Sequence, residues 1–328
     1  MHRSHVVSAL LVATLLTSCT AKPFSIPEPP RGADYSYTDL QGEDFRGTSL
    51  RKADFDLADL RGTLLAGADL TGANFYATRL NGADLSDADL TGANLRDADL
   101  TGANLTGANL TRAILAEANF TAVNLTGANL HPVNLTGADL TGANLVGAKL
   151  AGANLDRIKL NQAKLNGAQL SGARMTKAKL AQVDLTHADL SGANLTGAEL
   201  NAAILEGADL SRANLTEAIL TDANLKNAFM VGANIQKADL QGVNLEGADM
   251  AGVKMRNANL QNANLKQVDL RRADLEHADF SKANLSSANF TGAKMSEGLF
   301  IDADLTGTNM DSADTTDTQF KGAIGFKG

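Results

Sequence analysis

The chain has 328 residues, with 29 lysines and arginines against 37 acidic residues, one cysteine and no tryptophan. The formal net charge of −8 is mildly acidic, so the overall charge gives no reason to expect a surface for nucleic-acid phosphates. Only 4% of the residues are aromatic.

Residues 1–18 have the form of a signal peptide. A weakly basic start at residues 2–5 precedes an apolar run at residues 6–16, which is too short to cross a bilayer as a helix. The sequence Leu16-Thr17-Ser18-Cys19 follows. It resembles the lipobox of bacterial lipoproteins, in which the cysteine receives diacylglycerol, the signal is cut before it, and the new amine is usually acylated.

The resemblance implies that Cys19 is lipidated and that several acyl chains hold the protein on a membrane. A free thiol at this single cysteine, or cleavage at another position, is the alternative interpretation. Thr20 stands where an aspartate would favour retention in the inner membrane of enteric bacteria. The expected location is therefore the bacterial cell envelope, at the outer membrane or at the periplasmic face of a membrane.

Residues 19–32 are predicted to be a tether between the lipidated cysteine and the rest of the chain. Four of the five prolines lie in this segment: Pro23, Pro27, Pro29 and Pro30. A proline-rich chain is extended and semi-stiff at about 3.1 Å per residue, so the tether reaches up to about 40 Å.

From Tyr35 to Met310 every fifth residue is large and apolar, without an insertion or a deletion. The repeat is Ala, then Asp or Asn, then Leu, then two turn residues, as in Gly102-Ala103-Asn104-Leu105-Thr106. Alternation along a short extended segment places Ala and Leu on one side and the Asp or Asn on the other. The turn positions favour glycine, which accepts a positive φ. Each repeat therefore predicts one short side and one corner of a solenoid.

This repeat resembles that of the pentapeptide-repeat family. The resemblance implies an all-β fold, a right-handed parallel β-helix of square cross-section with four repeats in each coil. Residues 33–322 would then form about 14 coils at about 4.8 Å each, a rod about 70 Å long. Phenylalanines twenty residues apart would stack in columns near the two ends: Phe55 with Phe75, and Phe280 with Phe300 and Phe320.

The pattern changes near the C terminus. Thr315 occupies a core position and the frame ends after Phe320. Residues 323–328 are predicted to be a cap, with Ile324 and Phe326 folding over the last coil. Gyrase-protecting members of the family carry a C-terminal element for dimerisation, and this sequence shows no such helix. We therefore expect a monomer or weak end-to-end association.

The charges follow the same twenty-residue period. Two opposite faces are richer in Asp and the other two are richer in Asn. A basic belt interrupts the acidic residues near the middle and passes around all four faces; its members are Lys149, Lys159, Lys164, Arg174 and Lys179. A belt does not form a groove for a phosphate backbone, so no nucleic-acid partner is expected.

No arrangement of residues points to catalysis. His131, His187 and His277 lie several coils apart and cannot converge on a metal. A regular convex solenoid has no cleft that excludes water or perturbs a pKa. We expect no enzyme activity, no cofactor, no metal and no small-molecule substrate.

Apolar residues at outward positions are the candidates for a contact surface. They are Leu64, Ile114, Ile204, Ile219, Phe229 and Leu299. Of these, Ile204, Ile219 and Phe229 are the predicted protein-contact residues, because an exposed apolar pair on a polar rod can begin an interface. The alternative is that these apolar residues are sequence variation that a long repeat tolerates and have no role in binding.

Three classes of function remain open. The first is a non-catalytic, membrane-anchored lipoprotein that acts as a rigid scaffold or protein-binding rod in the cell envelope, with an unidentified envelope protein as partner. The second is a DNA mimic that protects a type II topoisomerase such as DNA gyrase, as the resemblance implies for some members of the family. The third is an enzyme accessory or a substrate-binding module. Fold alone does not decide among them.

Overall fold

The computed structural model describes residues 29–326 as a four-sided parallel β-helix. Each outward position forms a parallel bridge with the residue twenty positions later, from Asp34 with Asp54 to Asp304 with Ile324. One coil therefore contains four repeats, and the register does not slip along the rod. Within residues 29–326 there is no helix. Each side of a coil is bridged to the same side of the next coil through a single residue. The all-β solenoid predicted from the repeat is confirmed.

The four sides of the rod are called faces A to D, in the order in which the chain passes them. Face A begins at Asp34, face B at Asp39, face C at Asp44 and face D at Ser49, and each continues at every twentieth residue. Faces A and C are opposite, as are faces B and D. Two residues twenty apart lie about 4.8 Å from each other along the rod.

Backbone hydrogen bonds between coils hold each face in register. The N–H of Leu165 donates to the carbonyl of Asp184 at 2.6 Å, and the N–H of Asp184 donates to the carbonyl of Ala163 at 2.9 Å. At the next corner, the N–H of Gly167 donates to the carbonyl of Thr186 at 3.0 Å. This pattern recurs along most of the rod, so the stability of each coil depends mainly on its neighbours.

Each corner is a β-turn that follows the buried Leu. Its carbonyl accepts the N–H of the residue three positions later, as in Leu165 and Ala168 at 3.0 Å. The second turn residue has a positive φ, which is the signature of a type II turn. Glycine fills many of these positions, but others hold larger residues such as Lys177, with φ 55°. The prediction that glycine turns the chain is therefore incomplete.

The outward Asp or Asn stabilises the corner from outside. Its Oδ1 accepts the N–H of the first turn residue, as Asp184 does from Thr186 at 3.0 Å, and often the Thr hydroxyl as well. This Asx-type turn satisfies a backbone donor that the coil-to-coil bonds leave free. The Asp and Asn residues thus contribute to the fold in addition to keeping the surface polar.

The core is a column of Leu and Ala that is closed at both ends by aromatic stacks. Tyr35, Phe55 and Phe75 stack with centroid separations of 5.1 and 4.9 Å. Phe280, Phe300 and Phe320 stack at 4.8 and 5.4 Å. The predicted aromatic columns are confirmed. Each pair adds about 1 kcal/mol beyond the area that it buries.

The last coil is covered by one of the two side chains predicted to do so. Phe326 stacks on Phe320, with centroids 3.8 Å apart. Ile324 instead continues face C, pairs with Asp304, and is 62% exposed. Because Ile324 falls at the outward position of the repeat, its side chain points away from the core. Thr315 is exposed in the same terminal coil.

Candidate interaction surfaces

The three predicted contact residues lie on three different faces. Ile204 is on face C, Ile219 on face B and Phe229 on face D. Their exposed fractions are 41%, 38% and 53%. Ile204 is bridged to Asn224, which is the first outward residue after Ile219, so the two isoleucines flank one corner about one coil apart. Phe229 lies opposite Ile219 and belongs to a separate surface.

Phe229 has an apolar neighbour that sequence reasoning missed. Val231 is at the following corner and is also exposed. It borders a shallow depression that Ser191, Ser211 and Arg212 also line. Val231 occupies a turn position, where many residue types are tolerated, so the five-residue pattern does not mark it as unusual. The depression is open to solvent and does not form a cleft.

The other outward apolar residues differ in exposure. Leu64 and Leu299 are half-buried, whereas Ile114 is exposed. Further exposed apolar side chains occupy corners of the first coils: Tyr37, Leu57 and Tyr76. They were not predicted from the sequence, because the turn positions accept many residue types and an apolar residue there does not depart from the repeat.

The basic belt is larger than the five residues predicted from the sequence. Two corner cations, Arg157 and Lys177, extend it, and all seven side chains are exposed. Between residues 146 and 183 the only acidic side chain is Asp156. These two coils therefore carry a net charge of +6 within a chain whose formal net charge is −8.

Four of the cations lie together on face B and at the corner that precedes it. Arg157 and Lys159 are in one coil, and Lys177 and Lys179 are directly above them in the next. Lys159 pairs with Asp139 of the coil below at 3.2 Å. In the part of the rod that the structure covers, the other three cations form no ion pair within 4.0 Å. They are available to a partner.

Two surface carboxylates illustrate how the rod holds its aspartates ionised. A hydrogen bond from the Arg46 side chain, 2.7 Å away, lowers the pKa of Asp44 to about 2. The hydrogen bond from the Arg271 side chain likewise lowers the pKa of Asp269, although partial burial opposes it. Both carboxylates also accept the backbone N–H of the same arginine.

Acid is therefore expected to destabilise the rod. The folded-state pKa values of these aspartates lie below the unfolded value of about 3.9, so their contribution is present above about pH 4 and is lost as the pH falls towards 2. Circular dichroism melting should give a lower midpoint at pH 2.5 than at pH 6. The melting midpoint of the Asp269→Asn variant should fall by less between pH 6 and pH 2.5 than that of the wild type. A midpoint that does not change over this range would contradict the expectation.

The structure brings no histidines together. His131, His187 and His277 remain in separate coils. Among residues 29–326 no group of three His, Cys, Asp or Glu side chains has the geometry of a metal site. No helix long and apolar enough to cross a bilayer occurs in the same range.

Cys19, the signal peptide predicted at residues 1–18 and most of the 19–32 tether lie outside the described residues, as do residues 327 and 328.

A family model of pentapeptide repeats matches this chain in overlapping segments from residue 31 to residue 324. The chain belongs to the pentapeptide repeat family. Its fold is thus the right-handed, four-sided β-helix that the family resemblance predicted. A comparison with curated proteins found no match.

Solved structures that are similar to this chain include the following three. A pentapeptide repeat protein from the Arabidopsis thaliana thylakoid lumen is 43% identical over 30% of this chain and 68% of its own, with a TM-score of 0.29. HetL of Nostoc sp. strain PCC 7120, which is involved in heterocyst differentiation regulation, is 30% identical over 76% of this chain and 90% of its own, with a TM-score of 0.25.

The third is trypsin-treated QnrB1, a plasmid-mediated fluoroquinolone resistance protein. It is 19% identical over 61% of this chain and 91% of its own, with a TM-score of 0.30. Superpositions at these TM-scores add nothing to the family assignment, which rests on the repeats themselves.

Proposed function

We propose that this protein is a non-catalytic, protein-binding rod that acyl chains on Cys19 hold in the bacterial cell envelope. The observation that carries the proposal is the pair of exposed isoleucines, Ile204 and Ile219, that flank one corner of a predominantly polar rod. Apolar side chains grouped on a polar surface are typical of protein contact sites.

The polar groups of the rod are already engaged in structural roles, which supports a binding function over a catalytic one. Asp184 and Asp189 accept backbone N–H groups at their own corners, and Asn and Asp residues of successive coils bond to one another. The depression near Val231 is shallow and open to solvent, so it would not exclude water from a reacting group.

The sequence before the rod supports the membrane anchor. Several acyl chains on one cysteine give stable attachment, whereas one chain gives only reversible binding. A tether of up to about 40 Å followed by a rod about 70 Å long would present the faces of the rod well above the lipid surface.

The DNA-mimic alternative has weaker support. Such a mimic needs a continuous acidic stripe, whereas Lys149 interrupts face D and Lys159 and Lys179 interrupt face B, the two faces that are richest in Asp. A net charge of −8 along about 70 Å is far below the one charge per about 1.7 Å of duplex DNA. We therefore favour the protein-binding rod.

Photocrosslinking in intact cells tests the proposal. A photoreactive phenylalanine analogue at Ile219 should yield a crosslinked protein in the membrane fraction. The same analogue at Asn259, an outward position on face B two coils further on, is the matched control and should yield none. Absence of a crosslink from Ile219, Ile204 and Phe229 alike would contradict a protein-binding role for these surfaces.

A further inference from the structure

We propose that face B, from Lys159 to Ile219, binds an extended acidic segment of a partner polypeptide that also carries an apolar side chain. This inference rests on the proposed function and names the chemistry of its partner. Two neighbouring features carry it: the free cations of the basic belt, and Ile219, which lies two coils beyond Lys179 on the same face and is flanked across the corner by Ile204 of face C.

The charge around these cations favours an acidic ligand. Arg157, Lys177 and Lys179 are exposed and form no ion pair with the residues that surround them in the structure. The neighbouring carboxylates Asp139 and Asp156 are already paired with Lys159 and Arg174. Glu199 lies one coil beyond Lys179, and the structure shows no ion pair within 4.0 Å between them. A ligand with carboxylates would therefore meet three cations that form no direct ion pair with the described part of the rod.

The bridge register fixes the distances along the face. Lys159, Lys179, Glu199 and Ile219 follow one another at successive coils. Ile219 is thus about 10 Å from Lys179 and about 14 Å from Lys159 along the rod axis. An extended peptide rises about 3.3 Å per residue, so its acidic residues would lie three to four positions from its apolar residue.

The carboxylates near the isoleucines determine the direction in which the partner segment lies along face B. Glu199 lies between Lys179 and Ile219, and Glu217 lies at the corner before Ile219, where it pairs with Lys237 at 3.7 Å. Both would repel an acidic group placed beside Ile219. The acidic end of the partner is therefore directed towards the belt and its apolar side chain towards the corner that Ile204 and Ile219 flank.

The same features argue against a phosphate polymer as the ligand. A uniformly charged chain following face B would pass from the cations onto Glu199 and then onto an apolar side chain, where it gains no ion pair. A polypeptide can change from acidic to apolar within a few residues, as the face does. We therefore commit to a polypeptide partner.

Fluorescence anisotropy on the purified full chain in detergent tests the inference. The probe is a fluorescein-labelled peptide of four glutamates, two threonines and two leucines. Matched peptides replace either the glutamates with lysine or the leucines with serine, and inorganic polyphosphate serves as a competitor. The first peptide should bind most tightly, and its binding should weaken as the salt concentration rises.

Charge reversal identifies the surface. Lys177→Glu combined with Lys179→Glu should weaken peptide binding by about tenfold or more, and Ile219→Ser should weaken it several-fold. Lys254→Glu combined with Lys294→Glu is the matched control, since both lysines are exposed outward residues of face A. The affinity of this control variant for the peptide should stay within about twofold of the wild-type affinity. Circular dichroism melting would show that all variants remain folded.

Several outcomes would overturn the inference. One is equal loss of binding in the two double variants; another is equal binding of the lysine peptide. Displacement of the labelled acidic peptide by polyphosphate at lower concentrations than by the same peptide without its label would indicate a phosphate polymer instead. If the crosslink from Ile219 forms in cells but the belt variants bind the peptide normally, the protein-binding function stands and the acidic-partner inference fails.

Discussion

Replacing Leu165 with Asp should divide the rod into two frayed halves. Leu165 is fully buried in the Leu column near the middle of the chain, where the narrow core leaves no space for water. An ionised carboxylate there would have no partner, because the surrounding core is Leu and Ala. The expected loss exceeds about 4 kcal/mol, because the substitution both buries a charge and removes a packed side chain.

Circular dichroism melting and limited proteolysis measure this effect. The unfolding midpoint should fall sharply, and new cleavage should appear in the coils around residue 165. Lys164→Asp is the matched control, because it introduces the same side chain one residue earlier at an exposed outward position. Its free energy of unfolding should stay within about 0.5 kcal/mol of the wild-type value. An unchanged midpoint for Leu165→Asp would contradict the buried column.

The Cys19→Ala variant should release the protein from membranes or leave it as an unprocessed precursor. Without the cysteine sulfur there is no site for diacylglycerol, and the tether alone offers no apolar surface comparable to several acyl chains. Membrane fractionation and metabolic labelling with palmitate measure both consequences. Thr20→Ala is the control and should keep both label and membrane association. Equal labelling of the Cys19→Ala variant would show that the lipobox interpretation is wrong.

The fold was predictable because the five-residue repeat continues without an insertion or a deletion and so assigns each residue to a core, outward or corner position. A large apolar residue at every fifth position from Tyr35 to Met310 shows which side chains point inward. The coil of twenty residues came from the family resemblance, and the bridges of the structure confirm it. Predictions were less complete at the ends, where Ile324 looked like a capping residue but falls at an outward register position.

The interaction surfaces were only partly predictable. The five-residue period together with the twenty-residue coil implied by the family resemblance placed Ile204 and Ile219 near each other, on adjoining faces one coil apart. Arg157, Lys177 and Val231 escaped notice because they occupy corners, where the backbone turn accepts many residue types. Their importance comes from neighbours one coil away, which the sequence shows only after the coil length is known.

The mass of the native protein, extracted intact from envelope membranes, tests the central claim most directly. A lipid-anchored rod predicts the mass of residues 19–328 plus a diacylglycerol on Cys19 and an amide-linked acyl chain on its amine. A polypeptide that retains residues 1–18, or one that is cleaved elsewhere and carries no lipid, would contradict the account.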